Sequence, residues 1–95
     1  MDISVSSNKV TITGNIKTVN DFQNIKTNID AVIANQKSIV VNLVDSLSIT
    51  SSVIGYFNKI VLKDKVDLTL AVGNEQLIEL LEDLSLKSLF KARKI

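Results

Sequence analysis

Apolar and polar positions alternate along the chain with two different periods. Ile3 and Val5, then Val10 and Ile12, each have polar neighbours, the period-two signature of half-buried strands. Ser6-Ser7-Asn8 between them is turn-like and predicts a hairpin. Gly14-Asn15 closes the second strand. From Val19 the spacing changes: Val19, Phe22, Ile25, Ile29, Val32 and Ile33 recur at intervals of mostly three and four, one face of a helix. Lys26, Asn28 and Asp30 then fall on the solvent side. Ile39-Val40-Val41-Asn42-Leu43-Val44 is the least polar stretch, and so short a β-branched run predicts a central strand covered on both faces. A second helical stripe of Val53, Phe57, Ile60 and Val61 follows, in a helix beginning near Thr50. Val66, Leu68, Leu70 and Val72 predict a further strand. Gly73-Asn74 breaks the chain before a third helix marked by Leu77, Ile78, Leu80, Leu81 and Leu84. Leu86, Leu89 and Phe90 are expected to anchor the C-terminal end as a short strand or turn.

The order is therefore β-β-α-β-α-β-α: an α/β chain forming one domain over residues 1–95. Strands separated by single helices become parallel neighbours joined by right-handed crossovers. The expected architecture is a mixed, mostly parallel sheet with about three helices packed on it. Function in such sheets gathers at the carboxyl ends of the strands, which directs attention to the segment after Val44.

Composition narrows the chemistry. Hydrophobic residues make up 45% and charged residues 22% of the chain, the balance of an ordinary globular domain. A net charge of +1 supplies no field to recruit nucleic acid, and no apolar run is long enough to cross a bilayer. The opening Met1-Asp2-Ile3-Ser4 is not a secretory signal, so the expected location is cytoplasmic. There is no histidine and no cysteine, which removes the usual general base, the thiolate nucleophile and the commonest transition-metal ligands. Gly14, Gly55 and Gly73 are too far apart for a phosphate-binding glycine loop. The expectation is a non-enzyme without metal or cofactor. Lys87, Lys91, Arg93 and Lys94 read as a solubilising tail.

The segment Asn42-Leu43-Val44-Asp45-Ser46-Leu47-Ser48-Ile49-Thr50-Ser51-Ser52-Val53-Ile54-Gly55 resembles the strand-to-helix signature of STAS domains in bacterial anti-sigma-factor antagonists. That signature reads N/D-L-x-x-hydrophobic, a few residues, then D-S-S-G-L-G. Thr50 stands at its acidic position, Ser51 and Ser52 at its serines, Val53 at its first glycine, Ile54 at its leucine and Gly55 at its last glycine. Val10-Thr11-Ile12-Thr13-Gly14-Asn15-Ile16 and the Gly73-Asn74 turn with its leucine-rich helix are similar to flanking parts of the family. The resemblance implies a STAS-like protein-binding module. It makes Ser52 the phosphoacceptor, with Ser51 the second choice, and Thr50, Ser51, Ser52, Val53, Gly55 and Tyr56 the partner-binding residues. The implied partner is an anti-sigma factor, a serine kinase of the histidine-kinase-like ATPase type, sequestered when Ser52 is bare and released when it is phosphorylated.

Two departures from the signature matter. Thr50 replaces an acid and Val53 a glycine, which favours an alternative: a non-phosphorylated STAS subunit of a larger assembly, such as a lipid-transport complex or a stressosome-like particle. Read without the family, Ser46, Ser48, Thr50, Ser51 and Ser52 are equally a turn and helix cap. Tyr56, one turn after Ser52, suits either a partner surface or burial with a bonded hydroxyl.

Overall fold

The computed structural model describes residues 1–95. Strands β1 (Asp2–Ser6) and β2 (Lys9–Thr13) form the hairpin, helix α1 covers Val19–Ile33, and β3 follows at Ser38–Leu43. Helix α2 (Ser51–Asn58) runs into one π-helical turn (Lys59–Lys63), followed by β4 (Asp67–Val72), α3 (Glu75–Asp83) and β5 (Ala92–Lys94). The result is a single α/β domain whose five-stranded sheet has the order β1-β2-β3-β4-β5, antiparallel only between β1 and β2.

Helix starts are set by side-chain caps. Thr18 and Asp21 make a reciprocal capping box at α1, Thr50 accepts the Val53 N–H at α2, and Asn74 accepts the Gln76 N–H at α3. Such caps satisfy the first orphan amides of a helix. The three helices thus begin beside Val19, Thr50 and Asn74, as the periodicity predicts.

Each crossover from β2 onward steps to the next strand in the same direction. Right-handed connections of that kind lay every helix on the same face. Burial follows suit. Val10, Ile12, Ile39, Val41, Leu43, Leu68, Leu70 and Val72 join one core with Ile25, Ile29 and Val32 of α1, Val53 and Phe57 of α2, and Leu77, Ile78 and Leu81 of α3. Phe57 and Phe90 meet edge to face at 5.6 Å within it, a favoured aromatic geometry.

Four expectations are corrected. β3 is covered on one face only: Val40 and Asn42 are half-buried and lie on the open side with Thr11 and Thr69. β-branched residues suit a pleated backbone whether or not a layer covers them, so the run of valines could not report a missing layer. The strand ends at Leu43, leaving Val44 42% exposed. Val19, at the end of the α1 stripe, is 76% exposed because it sits in the first turn beyond the sheet. The basic residues read as a solubilising tail instead end in the strand Ala92-Arg93-Lys94, the sheet's far edge, while Leu86, Leu89 and Phe90 anchor the turn before it, as expected. A polar edge strand of three residues, with only Ala92 buried, shows no period.

No helix is long and apolar enough to cross a membrane.

At the carboxyl ends of β3 and β4 the chains touch. A Cβ on Gly73 would lie 1.9 Å from the Val44 carbonyl oxygen, and the Gly73 N–H donates to Leu43 O at 2.8 Å. Gly73→Ala must push one strand end aside. It is expected to lower stability by about 1–3 kcal/mol, read as a lower urea midpoint with an unchanged slope; an unchanged midpoint would refute the contact.

Candidate functional site

Three loops meet at the carboxyl end of the sheet, and polar groups stitch two of them together. The Asp45 carboxylate accepts the Gly14 N–H at 2.7 Å, the Ser46 hydroxyl donates to Gly14 O at 2.8 Å, and Asn15 Oδ1 accepts the Leu47 N–H at 3.0 Å. The Val44 N–H continues the ladder to Ile12 O at 3.0 Å. Gly14 takes φ +89°, a region that glycine occupies without strain. Ser46 is the one buried polar residue, at 0% exposure; leaving its partner unmade would cost about 1–3 kcal/mol. Ile49 drops into the core and delivers Thr50 to the start of α2.

From Thr50 the side chains diverge by helical phase. Val53, Tyr56, Phe57 and Ile60 turn inward and are buried. Ser51, Ser52 and Gly55 face solvent, with Thr50 half-buried. Of the six residues expected to bind a partner, Val53 and Tyr56 are therefore corrected to core positions, because spacings of three and four put them on the stripe of Phe57 and Ile60. The backbone N–H groups of Ser51 and Ser52 have no protein acceptor. They point out of the positive end of a helix, where an anion is favoured.

Ser52 and Thr50 line a groove of about 340 Å³ with Lys17, Thr18, Val19, Phe22 and Gln23. The first turns of α1 and α2 thus share one depression, and Lys17 supplies its cation. Asp21 belongs to the α1 cap: its carboxylate accepts the N–H groups of Lys17 at 2.9 Å and Thr18 at 3.2 Å, which hold it below the usual carboxylate range. Exposed Val19 and half-buried Phe22 make the lining partly apolar. Phe22 packs against the core as its spacing predicts, while also lining the groove; periodicity placed Val19 on the same stripe and gave Lys17 no role. The one usable signal was the Thr18…Asp21 spacing of a capping box.

Tyr56 fixes the wall of this groove. Its hydroxyl donates to Asp30 Oδ1 at 2.5 Å, while Lys26 Nζ donates to Asp30 Oδ2 at 2.9 Å and lies 5.9 Å from the Tyr56 ring centre. Phe22 meets the same ring edge-on at 6.3 Å. Lys26 and Asp30, expected on the solvent side, are half-buried and tie α1 to α2. Burial works against the Asp30 charge, but the Lys26 and Tyr56 bonds outweigh it and hold the carboxyl below its ordinary value. Burial first, then the Asp30 bond, push the Tyr56 hydroxyl well above its ordinary value. Neither Ser51 nor Ser52 is hydrogen-bonded to a base; the arrangement can accept an anion or a covalent phosphate and present a surface.

No family model, curated protein or solved structure matches this chain.

Tyr56→Phe removes a bond to a charged group and is expected to cost about 1.5–3 kcal/mol at pH 7. A depressed carboxyl contributes stability above its unfolded value and loses it as pH falls through the folded one. The gap between wild type and Tyr56→Phe should therefore narrow below about pH 4, as read by urea melts at several pH values. A gap constant down to pH 2 would mean that the Asp30 charge is not the partner that matters.

Gly55 has no atom within 4 Å of where a Cβ would stand. The fold has no steric need of it, and Gly55→Ala should stabilise the helix by about 0.5–1 kcal/mol. A variant that melts higher yet loses its partner would assign the glycine to a flat docking surface; a variant that melts lower contradicts the geometry.

Proposed function

We propose that the chain is a non-catalytic regulatory module of the STAS type, resembling an anti-sigma-factor antagonist and working in the cytoplasm. Its partner in this reading is an anti-sigma serine kinase of the histidine-kinase-like ATPase type, and Ser52 is the switch. The observation that carries the proposal is the exposure of Ser52, beside free backbone amides, on the groove where α1 and α2 begin. A phosphate there adds about 1.5 to 2 negative charges at neutral pH. The amides and Lys17 can hold it, and the same charge must be desolvated when a partner covers the groove.

Both departures from the family signature fit this reading. The Thr50 hydroxyl performs the cap at 3.3 Å from the Val53 amide, as an acid would. Val53 is wholly in the core, so the lost glycine adds no bulk around Ser52. Tyr56 then acts as a positioning residue, since it contacts Phe22 of the groove and α1 rather than a partner.

Capture of the tagged protein from its native cell, with mass spectrometry of partners and of the 48–56 peptide, should return a serine kinase and phospho-Ser52. Transporter or stressosome-like subunits with a bare serine would instead support the non-phosphorylated assembly subunit. With the partner in hand, Ser52→Asp should weaken binding about tenfold or more, equivalent to about 1.4 kcal/mol, while Ser52→Ala binds nearly as wild type. Melting should hardly change, because an acid suits the first helical turn. Equal affinities for wild type and Ser52→Asp would remove the groove from the interface.

A further inference from the structure

The two edges of the sheet are unlike each other. β5 is three residues long and carries Arg93 and Lys94, the charged, short edge with which proteins block unwanted pairing. β1 is five residues long, Asp2-Ile3-Ser4-Val5-Ser6, with no lysine, arginine or proline. Its hairpin register pairs Ser6 with Lys9 across a two-residue loop and Ser4 with Thr11. In such a hairpin the residues flanking the loop exchange hydrogen bonds, and the bonded pairs then alternate. Asp2, Ser4 and Ser6 therefore bond to β2, while the N–H and C=O groups of Ile3 and Val5 point outward from the free edge.

A second feature lies along the same edge. Val5 is on the helix side of the sheet, opposite the fully buried Val10, yet it is 43% exposed. Beside it runs a groove of about 420 Å³, walled by Asn28, Ala31 and Val32 of α1 and by Asn35 just beyond it. Every residue lining that groove is uncharged. A strand added to β1 would set alternate side chains into this groove.

We propose that β1 pairs antiparallel with β1 of a second copy of this chain about a two-fold axis at Ser4, joining the two sheets into one of ten strands. The strand is self-complementary in that register. Ile3 lies opposite Val5 of the second copy, and these are the residues whose outward groups are free. Asp2 lies opposite Ser6, so no like charges meet. A two-fold perpendicular to the sheet keeps both helical layers on one side. Ile3 of each copy then lies beside Val5 at the groove of the other, and the exposed Val5 is covered. An isologous contact of this kind closes and does not propagate. The groove lies at the hairpin end of the sheet, away from Ser52, so the proposal does not rest on the function proposed above and leaves both switch sites open.

The chain contains no cysteine, which permits a direct test. Ser4 is exposed and forms the non-bonded pair on the axis, where the two Cα atoms stand about 4.5 Å apart, inside the roughly 4.4–6.8 Å span of a disulfide. Ser4→Cys should cross-link to a covalent dimer on mild oxidation, whereas Ser88→Cys, on an exposed loop, should not. For the wild type, sedimentation from about 10 μM to 1 mM, the range of weak association, should show the mass doubling. The Ile3 and Val5 amides should become protected from exchange over the same range. Ser4→Lys, which sets two ammonium groups side by side without touching the core, should shift the midpoint at least tenfold upward. A wild type that stays monomeric throughout, or a dimer unaffected by Ser4→Lys, overturns the proposal. So does protection of Ile3 and Val5 that appears only when a different protein is added, which would make the edge a docking strand for that partner.

Discussion

Burial of one sheet face, and only one, is the constraint from which the rest of the molecule follows. Successive crossovers step in one direction, and the right-handed twist of the chain lays α1, α2 and α3 on the same side. A chain of 95 residues has apolar surface for one such layer and little more. The strands consequently alternate between core and open face, from Val10 and Ile12 to Leu68 and Leu70, with Ala71 the exception, buried on the open side. The open face is finished with Thr11, Asn42 and Thr69, residues that suit strands and tolerate water.

The same winding collects the β2–α1, β3–α2 and β4–α3 connections at one end. There the stability comes from polar contacts, because loops cannot bury enough apolar area to order themselves. Ser46, Asp45 and Asn15 lock two loops to each other, and Ile49 anchors the start of α2 from below. Ser52 is thus exposed on a rigid support. Tyr56 adds a cross-tie to Asp30 in the last turns of α1, so a hydroxyl–carboxylate bond holds α2 against α1.

A sheet that winds in one direction also has two edges. The far edge is short and cationic, held by β4 and by the Lys91–Asp67 ion pair at 2.6 Å. That pair is exposed and contributes at most about 1 kcal/mol, so the edge depends on Phe90 and Ala92 in the core. The near edge has no such protection, and its Val5 is placed for burial but lacks the layer that would bury it.

The element order from β1 to α3, the helix starts and the parallel sheet were legible in the sequence because period and capping are local. Alternation at Val10 and Ile12, spacing of three and four at Ile25, Ile29 and Val32, and the caps at Thr18, Thr50 and Asn74 act within a few residues of themselves. The exposure of Ser51 and Ser52 was equally local, since they lie off the stripe of Val53 and Phe57. What only the tertiary structure decided depends on partners distant in sequence. Whether Val40 is covered depends on which side every crossover takes. What satisfies the buried Tyr56 hydroxyl is Asp30, 26 positions earlier. Whether Val19 is core or groove rim depends on where the sheet stops beneath α1. Arg93 and Lys94 form a strand because β4 offers its edge to them. Local chemistry chose the elements, and long-range burial chose which of their faces met water.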